Sequence, residues 1–287
     1  LIPILLAKYG PRPAFGLPAV LMLVATYVVW SGRYKFAHVP PAGKVFLRET
    51  FSRVGLLAIG RLAVVFFFMI AFWALWDQSG SEWVAQAEKM DLHFLGFDWL
   101  ASQVQVVNAV MVLTFIPLCQ YVIYPTIDKI WKLTPLRKIG LGIFLIGVSF
   151  LVSAWIETQL AAGIKLNVGW QMPAYAILTL AEVMASITAL EFAYTQAPRS
   201  MKSVIQSLYL LSISFGNAFA AGVHWFIKNP DGSLKLTGAS YYLFYAGFAG
   251  AAAVVFMLFA LRYRGETYLQ GDATPSAASL TDAPQGT

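Results

Sequence analysis

The sequence predicts an all-α membrane protein, a bundle of long apolar helices whose solvent is the bilayer. Two observations carry this reading. Of 287 residues, 59% are hydrophobic and only 12% charged, which is more apolar surface than a soluble core of that size hides. The apolar residues also fall into runs near the twenty or so that a helix needs to cross roughly 30 Å of hydrocarbon. In that medium the backbone must satisfy its own polar groups, which a helix does within one segment. Soluble enzymes, disordered chains and nucleic-acid modules are thereby excluded, and the net charge of +6 belongs to loop Lys and Arg rather than to a DNA-binding face. Cys119 is the single cysteine, so neither an intrachain disulfide nor a thiolate metal cage is expected.

The chain opens at Leu1 without Met, basic leader or cleavage site, in an apolar stretch to Ala7 that reads as the tail of a membrane helix, so a fragment is expected. Pro13–Trp30 is the first complete span. Residues 33–54 are basic and interrupted by Val39-Pro40-Pro41-Ala42-Gly43, which breaks any helix and is expected to mark a hinge between two halves. Six further spans follow at Gly55–Asp77, Val104–Pro125, Ile139–Ile156, Trp170–Tyr194, Val204–Ile227 and Tyr241–Leu261. Pro117 lies inside the third of the seven and is expected to bend it. The Gly and Ala residues between Gly247 and Ala260 suit close helix packing. From Gly265 to Thr287 the composition turns to small and polar residues that cannot bury enough surface to fold, so a mobile tail is expected.

Alternate connections differ in charge. One set holds thirteen Lys and Arg, including Arg33, Arg53, Lys138, Lys202 and Arg262, and the opposite set holds six. Translocated loops are depleted in these residues, so the first set and the tail are expected in the cytoplasm of a multi-pass plasma-membrane protein. One helix before the long basic loop and six after it suit a twelve-helix transporter. The chain thus divides into residues 1–32, ending an N-terminal half; 33–54, an inter-half loop; 55–264, a six-helix bundle; and 265–287, the tail.

Ionisable groups within apolar runs are costly and are therefore the first candidates for function. Arg61, Asp77, Glu182 and Glu191 qualify. Asp77 closes its helix with Trp73 about 40° away around the axis, so an aromatic ring and a carboxylate share a face. That pattern suits either an interfacial carboxylate in a tryptophan belt or an outer gate paired with a cation. Glu182 stands midway along its helix, with Ser186 one turn later on the same face, so both are expected to project into one polar cavity. Glu191 is about 180° round from Glu182 and is expected to anchor the helix end instead. Arg61 precedes Asp77 by about 24 Å of helix and cannot reach it; it belongs to the inner end, where snorkelling is the simplest account. Asn108 both donates and accepts, as a peptide terminus or a neighbouring helix requires. His38, His93 and His224 lack metal-ligand spacing, so no metal site is expected. No nucleophile or phosphate-binding motif supports catalysis, and a non-enzyme is expected.

These residues resemble the proton-coupled oligopeptide transporters of the major facilitator superfamily. The most specific stretch runs from Glu182 through Ser186, Glu191, Phe192, Tyr194 and Gln196 to Pro198, followed by Met201-Lys202-Ser203, similar to the family's tenth helix and its signature. Phe72-Trp73-Ala74-Leu75-Trp76-Asp77-Gln78, Gln105 to Asn108, Tyr124-Pro125 and Gly216-Asn217 resemble the seventh, eighth and eleventh helices. The resemblance covers Leu1 to about Tyr263, from the end of helix five to helix twelve. It implies that Glu182 holds a peptide amino terminus and is linked to protonation, with Ser186 its partner. It implies further that Asn108 contacts the peptide near its amino end, that Trp73 lines the site, and that Asp77 gates it against an Arg of helix one. Tyr209 stands where many members place Trp in a side-chain pocket. Arg61 matches an Arg that meets an Asp on helix eight, but Gln120 occupies that position, leaving at most a hydrogen bond.

The implied activity is symport of di- and tripeptides with protons by alternating access, without a cofactor other than the coupling proton. The implied partners are small peptides, protons, the lipid bilayer and the N-terminal half of the same protein, with no nucleic acid. Two other readings stay open: a member carrying another solute, such as nitrate, another organic anion or an amino-acid-like drug, and a non-transporting sensor with the same fold. The helix-one Glu-x-x-Glu-Arg motif and the helix-four Lys of the family do not occur in this chain.

Overall fold

The computed structural model describes residues 2–35, 43–196, 201–227, 229 and 235–263. The stretch 39–42 and the tail 265–287, for which a hinge and a mobile segment were expected, lie outside the described residues. Among the described residues, seven helices are long and apolar enough to cross a membrane.

Helix α1 (Ile2–Tyr9) packs chiefly on α2 (Pro11–Ser31), which stands exposed along most of its length. A short helix, α3 (Gly43–Thr50), follows where the sequence suggested only a loop. The bundle then begins with α4 (Arg53–Trp76), whose first turn is closed by Ser52 Oγ accepting from the Gly55 N–H at 3.0 Å. A 3-10 turn, Asp77–Gly80, leads into α5 (Glu82–Ala87), and a two-residue hairpin, β1 (His93–Phe94) with β2 (Phe97–Asp98), caps that end. The return helix is segmented into α6 (Val106–Leu118), a π-turn (Cys119–Ile123) and α7 (Tyr124–Asp128). The expected bend therefore takes a specific form. Pro117 offers no N–H to the carbonyl four residues earlier, and the chain answers with one wider turn immediately after it instead of a break.

Helix α8 (Pro135–Ala161) starts with Pro135 at the first position and Thr134 as cap. A second segmented helix comprises α9 (Gln171–Glu182), a π-turn (Val183–Ile187) and α10 (Thr188–Thr195). Helices α11 (Lys202–Ile227) and α12 (Ala239–Arg262) complete the bundle.

Helix α8 is the hub, packing on α12 and α9, while α4 packs on α11. In hydrocarbon the partition of apolar side chains does not draw helices together, so close approach and van der Waals contact must. Two glycines supply that approach. A methyl on Gly142 would sit 2.6 Å from Ala185 Cβ in the π-turn, and one on Gly216 would sit 2.7 Å from Trp73 Cβ and 3.0 Å from the Ala74 nitrogen. Towards the Asp77 end the core is aromatic: Trp83 meets Tyr175 edge-on at 4.9 Å, and both are fully buried.

Candidate functional site

Glu182 ends α9 at the head of the π-turn, half-buried in the middle of the bundle. Its Oε2 accepts from Asn108 Nδ2 at 3.1 Å. The same Nδ2 donates to Thr179 Oγ1 at 3.0 Å, so the α6 carboxamide is held by two groups of α9. Thr179 is fully buried and passes its own proton to the Tyr175 carbonyl at 2.8 Å. The sequence reading did not single Thr179 out. Its signal was its place three residues before Glu182, a spacing that shares a helix face.

Ser186 makes no hydrogen bond to Glu182 or Asn108. Its hydroxyl lies 2.7 Å from the Tyr209 hydroxyl of α11, and both residues are buried. Ser186 stands in the π-turn that follows Glu182, and Tyr209 neighbours both, so the two residues expected to face one cavity are linked through Tyr209 rather than by a direct bond. One extra residue accommodated in such a turn rotates everything after it by about 100° relative to a regular helix. Glu191 accordingly lies nearer to 80° than to 180° around the axis from Glu182, and it is exposed on α10. Tyr209 also meets Trp73 edge-on at 6.1 Å and Phe66 at 6.1 Å, forming an aromatic wall between α4 and α11.

Asp77 begins the 3-10 turn at the far end of α4, with the Asn217 side chain of α11 facing it. Its Oδ2 is buried and has no hydrogen-bond partner among the described residues, and the same holds for the indole nitrogens of Trp73 and Trp76. Arg61 lies at the opposite end of α4, near Tyr263. Gln120 is exposed on the π-turn of the α6–α7 helix. Helix α4 packs on α11, α12 and α8, and α6 on α9.

A second carboxylate falls outside the expected span, which stops at Ile156, one residue short of it, while the helix runs to Ala161. Glu157, on the last turns of α8, is 6% exposed. Its Oε1 accepts from Lys89 Nζ at 2.7 Å and its Oε2 from Gln86 Nε2 at 3.0 Å. Gln171 extends the network, donating to Gln86 Oε1 at 3.2 Å and to the Trp83 carbonyl at 3.0 Å. Beyond it, Asp91 and Asn167 tie the hairpin to the start of α9: Asn167 Nδ2 donates to the His93 carbonyl at 2.6 Å, and His93 Nδ1 lies 2.8 Å from Asp98 Oδ1. Asp98 holds the exposed His93 imidazole above its ordinary value, while the His93 N–H holds Asp91 below the usual carboxylate range.

With this geometry in hand, comparison with known proteins is decisive. The family model described as PTR2, the POT family, matches residues 54–241. The chain belongs to the POT family. It is 33% identical over 202 residues to the peptide transporter PTR_A of Candidozyma auris, covering 64% of this chain and 33% of that one. It is 32% identical over 197 residues to the peptide transporter PTR2 of Saccharomyces cerevisiae, covering 64% and 32% respectively. The chain thus spans about a third of the length of these relatives. Among solved structures, it resembles an auto-inhibited POT family peptide transporter, with a TM-score of 0.80, 28% identity, and coverage of 93% of this chain and 67% of that one. It also resembles the POT family transporter PepTSo, with a TM-score of 0.78, 30% identity, and coverage of 91% and 67%. The bundle is therefore that of a major facilitator transporter, an integral membrane protein.

Proposed function

We propose that this bundle serves proton-coupled symport of di- and tripeptides by alternating access, with Glu182 receiving the ligand amine. The observation that carries the reading is the half-satisfied state of Glu182 inside a chain of the POT family. One carboxylate oxygen is engaged by Asn108, no cation neighbours it among the described residues, and the carboxylate sits at mid-helix, where an ionised group is expensive unless a partner arrives. A peptide ammonium is such a partner, and so is a proton. Asn108 stands beside it for the amino end of the peptide, and Trp73 and Tyr209 supply an aromatic wall for a side chain. The buried, unsatisfied Asp77 Oδ2 suits a gate that accepts from a cation on a second helical half, which would also close the open face of α4, α6 and α11.

In this reading the protein lies in the cytoplasmic membrane with Arg53, Lys138, Arg262 and the tail inside, as their abundance in one set of connections favours. The test is uptake of a labelled dipeptide by proteoliposomes containing the full-length transporter, with and without an inward proton gradient, alongside Glu182→Gln. Gradient-driven uptake that the substitution removes is expected. Well-folded wild-type protein that binds dipeptide but moves none would turn the reading to a sensor. Flux of nitrate or another solute without dipeptide competition would turn it to a different cargo.

A further inference from the structure

We propose that Thr179 is a positioning residue that fixes the Asn108 carboxamide with its carbonyl oxygen towards the bound ligand, so that the site accepts a peptide N–H at that point. This rests on the peptide reading above.

The argument is one of donors and acceptors. Asn108 has two chemically different ends, an NH2 that donates and an oxygen that accepts. Its NH2 end meets Thr179 Oγ1 at 3.0 Å and Glu182 Oε2 at 3.1 Å. A carboxylate there only accepts. A threonine hydroxyl ordinarily does either, but that of Thr179 has committed its proton to the Tyr175 carbonyl at 2.8 Å, so towards Asn108 it too only accepts. Turning the carboxamide over would set its oxygen against two acceptors at once. The orientation is therefore dictated from α9, and it holds even when Glu182 is occupied elsewhere, because Thr179 is buried and its commitment lies within its own helix. The remaining group, Asn108 Oδ1, makes no hydrogen bond among the described residues and is not sealed from solvent. It faces the ligand as an acceptor. Close to its amino end a peptide carries the ammonium, taken by Glu182, and then the first backbone N–H, which an acceptor beside Glu182 suits. An isostere with an ester oxygen at that position offers no donor and sets oxygen against oxygen.

The experiment uses the full-length transporter, purified, with a labelled dipeptide displaced by either the unlabelled dipeptide or its depsipeptide isostere, in which the ester oxygen replaces the peptide N–H. The quantity read is the ratio of the two affinities in wild type, Thr179→Val and Thr179→Ser. The wild type is expected to favour the amide. The ratio is expected to shrink about fivefold in Thr179→Val, the loss of one neutral hydrogen bond, and to stay within about twofold in Thr179→Ser, which restores the hydroxyl. A purely structural role would weaken both ligands equally and leave the ratio where it was, which would overturn the proposal. Thr179→Ala replaces the valine variant if that does not fold. A second, ligand-independent reading is a double-mutant cycle of Thr179→Val with Asn108→Ala followed by thermal melting, in which coupling is expected and its absence overturns the proposal. If neither competitor displaces the label in cooperatively melting wild type, the peptide reading itself falls and the ligand contact with it. If both displace it and the ratio alone fails to move, only the role of Thr179 falls.

Discussion

Two carboxylates in this bundle, Glu157 and Glu182, are alike in chemistry and opposite in circumstance. Glu157 is nearly sealed, with both oxygens engaged, one by the Lys89 ammonium and one by the Gln86 amide, and Gln86 is itself tied to α9 through Gln171. Glu182 is half-buried, with one oxygen engaged by an amide and no cation beside it among the described residues. A buried charge with both oxygens answered serves the fold, since removing a partner costs more than the pair contributes. A carboxylate left partly unanswered at membrane depth is a cost the fold carries for something else. Saturation, together with burial and not residue type, separates the two.

The comparison is broken or sharpened first at those two positions. Glu157→Ala leaves one N–H of buried Gln86 without an acceptor, the Ser153 carbonyl keeping the other, and should lower stability by about 2 kcal/mol, since Lys89 is more than half exposed and regains water. Glu182→Ala should cost less than about 1 kcal/mol and yet remove dipeptide uptake, so melting curves paired with uptake assays should move in opposite order. Equal melting shifts would erase the distinction. Of similar size is Gly216→Ala. Its methyl would meet backbone of α4, which does not yield as a flexible side chain does, and a loss of about 2 kcal/mol is expected in the melting of the purified protein. Tyr209→Phe follows, removing the contact with Ser186 and leaving the ring wall intact. About 1 kcal/mol of stability should go, and a shift in the ranking of dipeptides by side chain should accompany it if the wall meets cargo.

The smallest effect belongs to the hairpin. His93 is raised above its ordinary 6.5 by Asp98, so its contribution is complete below 6.5 and fades as pH climbs through the raised value. Asp91 works the other way, contributing above 3.8 and fading as pH falls through its lowered value. An NMR titration of the His93 ring should show a midpoint above 6.5 that falls in Asp98→Asn, and a wild-type midpoint at or below 6.5 would contradict the pairing.

The membrane spans were legible because their signal, twenty apolar residues in a row, is written residue by residue and survives errors at the ends. Glu157 shows the limit. The helix continues to Ala161, and stopping at Ile156 left a core carboxylate outside the search. Glu182, Asn108 and Asp77 announced themselves as polar groups in apolar surroundings. Their partners did not: Thr179 is one hydroxyl among several, and only contact between α6 and α9 gives it a task. The tie between Ser186 and Tyr209 is a fact of helix neighbourhood, which no single segment encodes. The π-turns are harder still, because a wide turn and a tight one can be spelled with the same letters.

That last point bears on how such chains diverge. A one-residue deletion within 183–187 could restore a regular helix without shortening the span appreciably, and nothing N-terminal to it would need to move. Residues 188–195 would nevertheless turn by about 100°, exchanging which of Thr188, Glu191 and Phe192 points inward. A single-codon gap in a gene comparison at this place is then a change of facing for a whole helical segment, and identity counted column by column across it compares side chains that never occupy the same position in space.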